Sequence, residues 1–444
     1  MVFEPARFTE FRYSGFTFDG AEAEFSFALI GPTTERFVER VVFTKPADAD
    51  TVDWHRLYPV LSLLGAVLGL SYYKAAAPNR FVIEADGIST GAVDYLRRVL
   101  REGLAEFAYR AELPGFLEPE FVVETSDEEF EPFTPTGQPL VPIGGGKDSV
   151  VSVESLVASG FDPVQFAVNP NVIIRRVAEV SGHSLVAARR TIDQHLLELN
   201  ADGALNGHVP VTAMNSLIAV AQSLLLGLGP VVMSNESSAS DPTLSWNGEP
   251  VNHQWSKSLD AERALNDVLE AQAGLVGAYF SLLRPFSELR IARGFASTTK
   301  YDAAIVSCNR AFRMGVDHVG WCGDCDKCRF VFLAMAPYMP AARLSAIFGK
   351  NMFDDATQLP GYRALLGLDA HKPFECVGEE AECSVAMSLA SRMTDWATTA
   401  VVTQLRTEIP NLSEGSAALE EQVMATSDAD TLDDDYERAR GALV

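Results

Sequence analysis

Basic residues are scarce in this chain of 444 residues, where 35 Lys and Arg stand against 60 Asp and Glu for a formal charge of −25. A field of that sign repels phosphate backbones and no basic stripe interrupts it, so a nucleic-acid substrate is disfavoured. Residues 414–444 hold nine acids and two arginines, a share of −7, so most of the acidity belongs to the body. Cysteine is also scarce, with six in all, and a chain that is 47% hydrophobic can build two or three cores without disulfide staples. The N-terminus, MVFEPARFTEFRYSGFTFDG, lacks the continuous apolar core of a secretory signal, which makes a cytoplasmic address the expectation. Long apolar runs are missing too. Stretches 59–73 and 217–233 are broken by Gly, Ser, Gln or Pro, short of the roughly 20 apolar residues of a membrane span. Both are expected as buried helices, with no membrane partner.

What is present divides the chain. Aromatic and β-branched runs at 11–18, 24–30 and 37–43, punctuated by Asp-Gly and Gly-Pro, predict strands. A helix over 53–75, a strand over 81–84 and a helix from a Ser89-Thr90 cap through 93–113 complete an α+β domain expected at 1–115. Residues 116–138, rich in Glu, Asp, Pro and Thr, predict a linker. A strand over 140–143, a helix over 149–159 and a strand over 163–168 have the length of a βαβ unit. Helices over 172–180, 184–199 and 214–228 and a strand over 230–233 follow, so 139–305 is expected to be an α/β domain with a mainly parallel sheet. A helical, cysteine-rich part is expected over 306–380, and a helical acidic extension over 381–444.

The junction between the first of these strands and its helix reads GGGKDS, residues 144–149. Backbone N–H groups of a glycine turn, followed by the positive end of a helix, can hold phosphate oxygens. Gly144, Gly145 and Gly146 supply close approach, Lys147 a charge, and Asp148 a hard oxygen for Mg²⁺. A Walker A loop is excluded, because Val141 stands where its first Gly belongs and Asp148 where Ser or Thr follows Lys. The strand end at Asn169 and the Ser234–Ser237 run place polar groups on the same rim. Cys308, Cys322, Cys325 and Cys328 follow C-x13-C-x2-C-x2-C, a full thiolate set for tetrahedral zinc. Free thiols and an iron–sulfur cluster are the alternatives, and Cys376 and Cys383 fall outside the spacing.

Gly145, Gly146, Asp148 and Ser149 match the S-G-G-x-D-S pyrophosphate loop of the N-type ATP pyrophosphatases, which GGGKDS resembles, with Gly144 in place of Ser. The cysteine run resembles the zinc-binding cluster of the deazaguanine synthases of that family. With NHQWSKS at 252–258, RPFSEL at 284–289, SCNRAFR at 307–313 and HKPFECVGE at 371–379, the chain resembles the MurL-type, ATP-dependent epimerases of UDP-N-acetyl-α-D-muramoyl-L-alanyl-L-glutamate. That resemblance implies an N-type ATP pyrophosphatase fold, ATP and Mg²⁺, the UDP-muramyl dipeptide as substrate, and adenylation of a carboxylate ahead of proton transfer at Cα. Candidate proton carriers are His253, Lys257 and Glu236, unranked. Asn252, Trp255, Arg284, Arg310 and Arg313 are candidate substrate anchors, the arginines as forks for carboxylate or diphosphate. A deazaguanine-forming or nucleoside-modifying pyrophosphatase and a non-catalytic ATP-binding module are the alternatives.

Overall fold

A computed structural model describes residues 3–312, 319–369 and 377–444. The first three strands, β1 (Glu10–Phe18), β2 (Glu22–Ile30) and β3 (Thr34–Val42), form an antiparallel meander. Their alternation places Phe11, Tyr13, Phe25, Phe27, Leu29, Phe37 and Val41 in the core, as a period of two requires when one face of a sheet is covered. The cover is the helix Trp54–Leu68, started by Asp53, whose side chain accepts the Arg56 N–H. Gly65 permits the approach, since a Cβ there would lie 2.0 Å from the Tyr13 hydroxyl and 2.6 Å from Phe25. Ser89 caps the helix Thr90–Gly103 as expected, accepting from Ala92.

The remaining strands of the large sheet are β4 (Arg80–Ile83), β5 (Glu120–Val123), β6 (Leu140–Pro142), β7 (Val164–Val168), β8 (Leu185–Thr191) and β9 (Val231–Met233). Outside it, β10 (Leu244–Trp246) and β11 (Glu249–Val251) form a hairpin, and the last strand, β12 (Tyr279–Ser281), returns to the sheet edge. The order is β12-β9-β6-β7-β8-β3-β2-β1-β4-β5. Pairing is parallel from β12 to β8, antiparallel from β8 through β3 and β2 to β1, and parallel again through β4 and β5. The fold is therefore mixed α/β around one large, mostly parallel sheet.

Two elements differ from expectation. Residues 184–199, expected as one helix, contain β8 and then the helix Gln194–Ala201. The position of β8 between β7 and β3 offers it ladder bonds on both edges, which override the intrinsic helix preference of Leu, Ala and Arg. The segment 116–138 contributes β5, paired with β4. Through the β3–β8 pair the sheet runs unbroken from the N-terminal meander into the parallel part, reinforced where Arg190 donates to the buried Glu39 at 2.5 Å.

A second core takes over from Leu283 onward and is built from Phe286, Phe295, Phe332, Phe353, Tyr362 and Trp396 among others. The helix Lys147–Ala158 joins both layers, giving Val150 and Val151 to this core and Val153 and Leu156 to a smaller one. The acidic C-terminal segment folds back: Tyr436, on the helix Asp434–Arg440, stacks on Phe161 at 4.6 Å. Among the described residues no helix is long and apolar enough to cross a membrane.

Candidate active site

In the parallel part, β7 and β8 lie on one side of β6, and β9 and β12 on the other. The order in which strands are added thus reverses beside β6, and the crevice beyond the carboxyl ends of strands at such a point is where open α/β sheets bind ligands. The segment that leaves β6 there is GGGKDS. Gly145 takes φ +81°, a left-handed conformation costly for other residues, and a Cβ on it would sit 2.9 Å from Ile173 Cγ2. Gly146 is the N-cap of the helix Lys147–Ala158 and supplies no side chain to its first N–H groups, so those donors are available to an anion. Ser307 lies against it, 2.4 Å from where a Cβ would be, and the Val306 N–H donates to Gly145 O at 3.0 Å. Gly144 has open space around it. The Ser149 hydroxyl donates to Gly146 O at 3.2 Å, closing the turn.

Lys147 does not point to solvent. Only 1% of its side chain is exposed, and its ammonium donates to Asp148 and to Glu288, at the start of the helix Glu288–Ala296. Burial alone would lower the lysine, but the two carboxylates outweigh it and hold the ammonium charged. Lys327 approaches the other Glu288 oxygen at 3.6 Å. Burial pushes Glu288 up, yet Lys147 and Lys327 prevail and bring it down to about 2. Asp148 keeps 27% of its side chain exposed, and burial followed by the Glu288 charge raises its carboxyl.

Two further carboxyls complete the cluster. Glu236 leaves β9, and burial, then Glu288, lift it to about 7 against the pull of Lys257. Its side chain caps no helix. Glu382, at the start of the helix Glu380–Arg392, accepts the Glu288 N–H at 2.7 Å and the Glu379 N–H at 2.8 Å. Burial, then Glu288, raise it to about 7 as well. Four carboxyls and three lysines therefore share one buried electrostatic network in which two acids can hold or release a proton near neutrality. A cleft of about 420 Å³ opens beside it, lined by Ser237, Arg284, Ser287, Glu382 and, from the C-terminal segment, Gln422, Val423, Ala425, Ser427 and Asp428.

The substrate-anchor candidates are placed differently. Arg284 is 1% exposed and spends its guanidinium on Glu262 at 2.7 Å, Glu236 O at 2.8 Å and Lys257 O at 2.7 Å. It bridges the loops that carry Glu236 and Lys257 and lines the cleft. Asn252 links its loop to Ala239 O at 2.9 Å, and Trp255 is buried with its indole N–H on Asp260 at 3.1 Å. Asn169, at φ +51°, exchanges amide bonds with the Arg190 backbone, which fixes the ends of β7 and β8. Arg310 is half exposed and pairs with Asp324 at 3.0 Å. Arg313, the 371–374 run and Cys376 lie outside the described residues.

His253 hydrogen-bonds through Nδ1 to the buried carboxylate of Glu106, and Lys257 lies 3.3 Å from Gln254 Oε1. Glu106, Glu288, Lys327 and Glu382 were not legible as site residues. Glu288 sat inside the RPFSEL run, and the S-x-x-E-like spacing of Glu379 and Glu382 marks a helix start, but neither signal reveals the partners.

The four cysteine sulfurs all lie within 4.8 Å of one another. Separations of 3.4, 3.7 and 4.0 Å are seen for Cys325–Cys328, Cys322–Cys328 and Cys308–Cys325. A tetrahedral zinc with sulfurs at ~2.3 Å requires about 3.8 Å between them, so the set fits zinc. Gly323, at φ +63°, turns the chain between Cys322 and Cys325. The same cysteine turn delivers Lys327 to Glu288 and Ser307 to Gly146.

Comparison with known proteins accords with this architecture. Residues 2–282 match the MurL N-terminal domain and 304–420 the MurL C-terminal domain. A UDP-N-acetyl-alpha-D-muramoyl-L-alanyl-L-glutamate epimerase of a Micromonospora species is 50% identical, covering 93% of each chain. The Salinispora tropica protein of that name is 50% identical over 93% of this chain and 91% of its own. One from Xanthomonas oryzae pv. oryzae is 45% identical over 77% and 76%. The chain belongs to the MurL epimerase family, and so to the isomerases.

Proposed function

We propose that the protein inverts the terminal L-glutamate of UDP-N-acetyl-α-D-muramoyl-L-alanyl-L-glutamate to D-glutamate in an ATP-dependent reaction of peptidoglycan precursor synthesis in the cytoplasm. The observation that carries the substrate is the 50% identity, over 93% of this chain, to relatives named for that epimerisation. GGGKDS beyond β6 at the reversal of strand order supports ATP and kinship with the N-type ATP pyrophosphatases.

The α-proton beside a free carboxylate is very weakly acidic, because its removal creates a dianion. Joining the carboxylate to AMP, with pyrophosphate leaving, removes that penalty. Gly144–Gly146 and the first N–H groups of the helix Lys147–Ala158 would bind the phosphates. Asp148 is the residue for Mg²⁺, which supplies charge neutralisation at those phosphates. Proton transfer falls to Glu236, Lys257 and His253, on loops held together by Arg284 and Asn252. Water would then release the D-glutamate product and AMP. Cys308, Cys322, Cys325 and Cys328 would hold a structural zinc, which would fix the turn that carries Lys327 and Ser307 against the loop.

The test is product analysis with ATP, Mg²⁺ and the muramyl dipeptide nucleotide. AMP and pyrophosphate should form only when that nucleotide is present, and not with tRNA or a deazaguanine acid. ADP and phosphate, or AMP formation indifferent to the dipeptide, contradict the reading.

A further inference from the structure

A second polar cluster lies beside the first. Glu106, in the first turn of the helix Ala105–Arg110, has 6% of its side chain exposed. One oxygen accepts the Arg110 Nε–H at 2.6 Å; the other accepts the His253 Nδ1–H and lies 3.8 Å from His208 Nδ1. The two imidazoles are 4.8 Å apart between centroids. This carboxylate and two histidines converge as metal ligands can, and Glu106 and His253 are also bonded directly to each other. A histidine whose Nδ1–H is held by a buried carboxylate presents Nε2 as a base, and the carboxylate stabilises the imidazolium formed on protonation.

We propose that Glu106 is the positioning residue that makes His253 one of the two proton-transfer groups of the epimerisation, acting with a second group on the Glu236–Lys257 side. The proposal rests on the function proposed above. Asn252, adjacent to His253, bonds Ala239 O at 2.9 Å, which fixes the His253 loop to the loop that carries Glu236. Lys257 is in electrostatic reach of both His208 and Glu236. In the step itself the Cα–H bond of the activated glutamyl group breaks, its proton passes to His253 Nε2, and the electron pair is held as the enolate. A new Cα–H bond forms on the opposite face with a proton from the second group. The charged and titratable groups around the Glu106, His208 and His253 cluster include Arg110 and Lys257. Burial, then His253, lower His208 to about 4, which keeps it neutral at working pH.

The test uses the full-length protein with Glu106→Gln, Glu106→Asp, His253→Gln and His208→Ala. Glu106→Gln should slow epimerisation about a hundredfold or more, with a far smaller change in substrate-dependent AMP formation. Glu106→Asp should restore part of the loss. One limb of the pH–rate profile should move to lower pH in Glu106→Gln, because the imidazolium has lost its counter-charge. Equal loss of AMP formation and epimerisation, or an unmoved profile, overturns the proposal. If Glu106→Gln does not fold, His253→Gln decides, and near-normal epimerisation by it is equally fatal. A second metal equivalent that His208→Ala removes would show an ion site in place of the pair. Wild-type epimerisation without any AMP would refute adenylation, while the Glu106 comparison could still be read from epimerisation rates.

Discussion

Lys147 shows how a residue named from a motif acquires a different role in its surroundings. A loop lysine facing solvent could be removed without harm to the fold, but this one is 1% exposed and bonded to Glu288, 141 residues later. Lys147→Ala should therefore destabilise the protein by about 3–5 kcal/mol, because it leaves a buried carboxylate short of a cation. Lys147→Met combined with Glu288→Gln should cost less than the sum of the single changes. Denaturant unfolding of the three variants measures this, and a Lys147→Ala protein as stable as wild type would refute the buried pairing. Gly145→Ala should cost about 1–2 kcal/mol through its positive φ alone, with added contact against Ile173, and should impair AMP formation more than it impairs folding. GGGKDS was legible because its meaning is local: three glycines, a lysine and an aspartate between a strand and a helix. Glu288, Glu382 and Lys327 were not, because their importance comes from packing across hundreds of residues.

Among the elements, the cysteine turn and the helix Glu380–Arg392 both press on the loop from the C-terminal part. Cys325→Ser should lower bound zinc from about one per chain to well below that, and should also weaken AMP formation, since the same turn places Lys327 and Ser307. Metal analysis of protein purified without chelator checks the first, and unchanged turnover in a zinc-free variant would contradict the second. The helix Glu380–Arg392 makes a pH prediction. Glu382 is raised from 4.5 to about 7, so the stability it contributes is fully present below pH 4.5 and is lost as pH rises through 7. Carrying a charge there costs up to roughly 3 kcal/mol. Glu382→Gln escapes that loss but gives up one of two accepted N–H bonds. Its deficit relative to wild type should shrink between pH 5 and pH 8, and a deficit that grows instead would contradict the shift. The helix start at Glu379 could be read from its spacing. β8 could not, because Leu185–Thr191 has no strong strand pattern of its own and is made a strand by neighbours on both edges.

For the whole molecule, one sheet carries the aromatic meander and the strand that leads into GGGKDS, so the N-terminal part is continuous with the scaffold of the candidate site. The β3–β8 pairing that joins them connects residues about 150 apart, and nothing local announces it. The strands near 140–143, 163–168 and 230–233 and several helices between them, by contrast, were visible from periodicity, although β8 and β12, which flank those strands in the sheet, were not. The central claim is that the crevice beside β6 inverts Cα of the terminal glutamate through proton exchange on an activated carboxylate. The most direct measurement is incubation of the L-Ala-L-Glu muramyl nucleotide with ATP and Mg²⁺ in deuterated water, followed by mass and stereochemical analysis of the glutamate. The account predicts D-glutamate carrying deuterium at Cα, formed with AMP and pyrophosphate, and little reaction of free L-glutamate, since the rest of the nucleotide orients the reacting carboxylate. D-glutamate without deuterium at Cα, or inversion that proceeds without ATP, would contradict it.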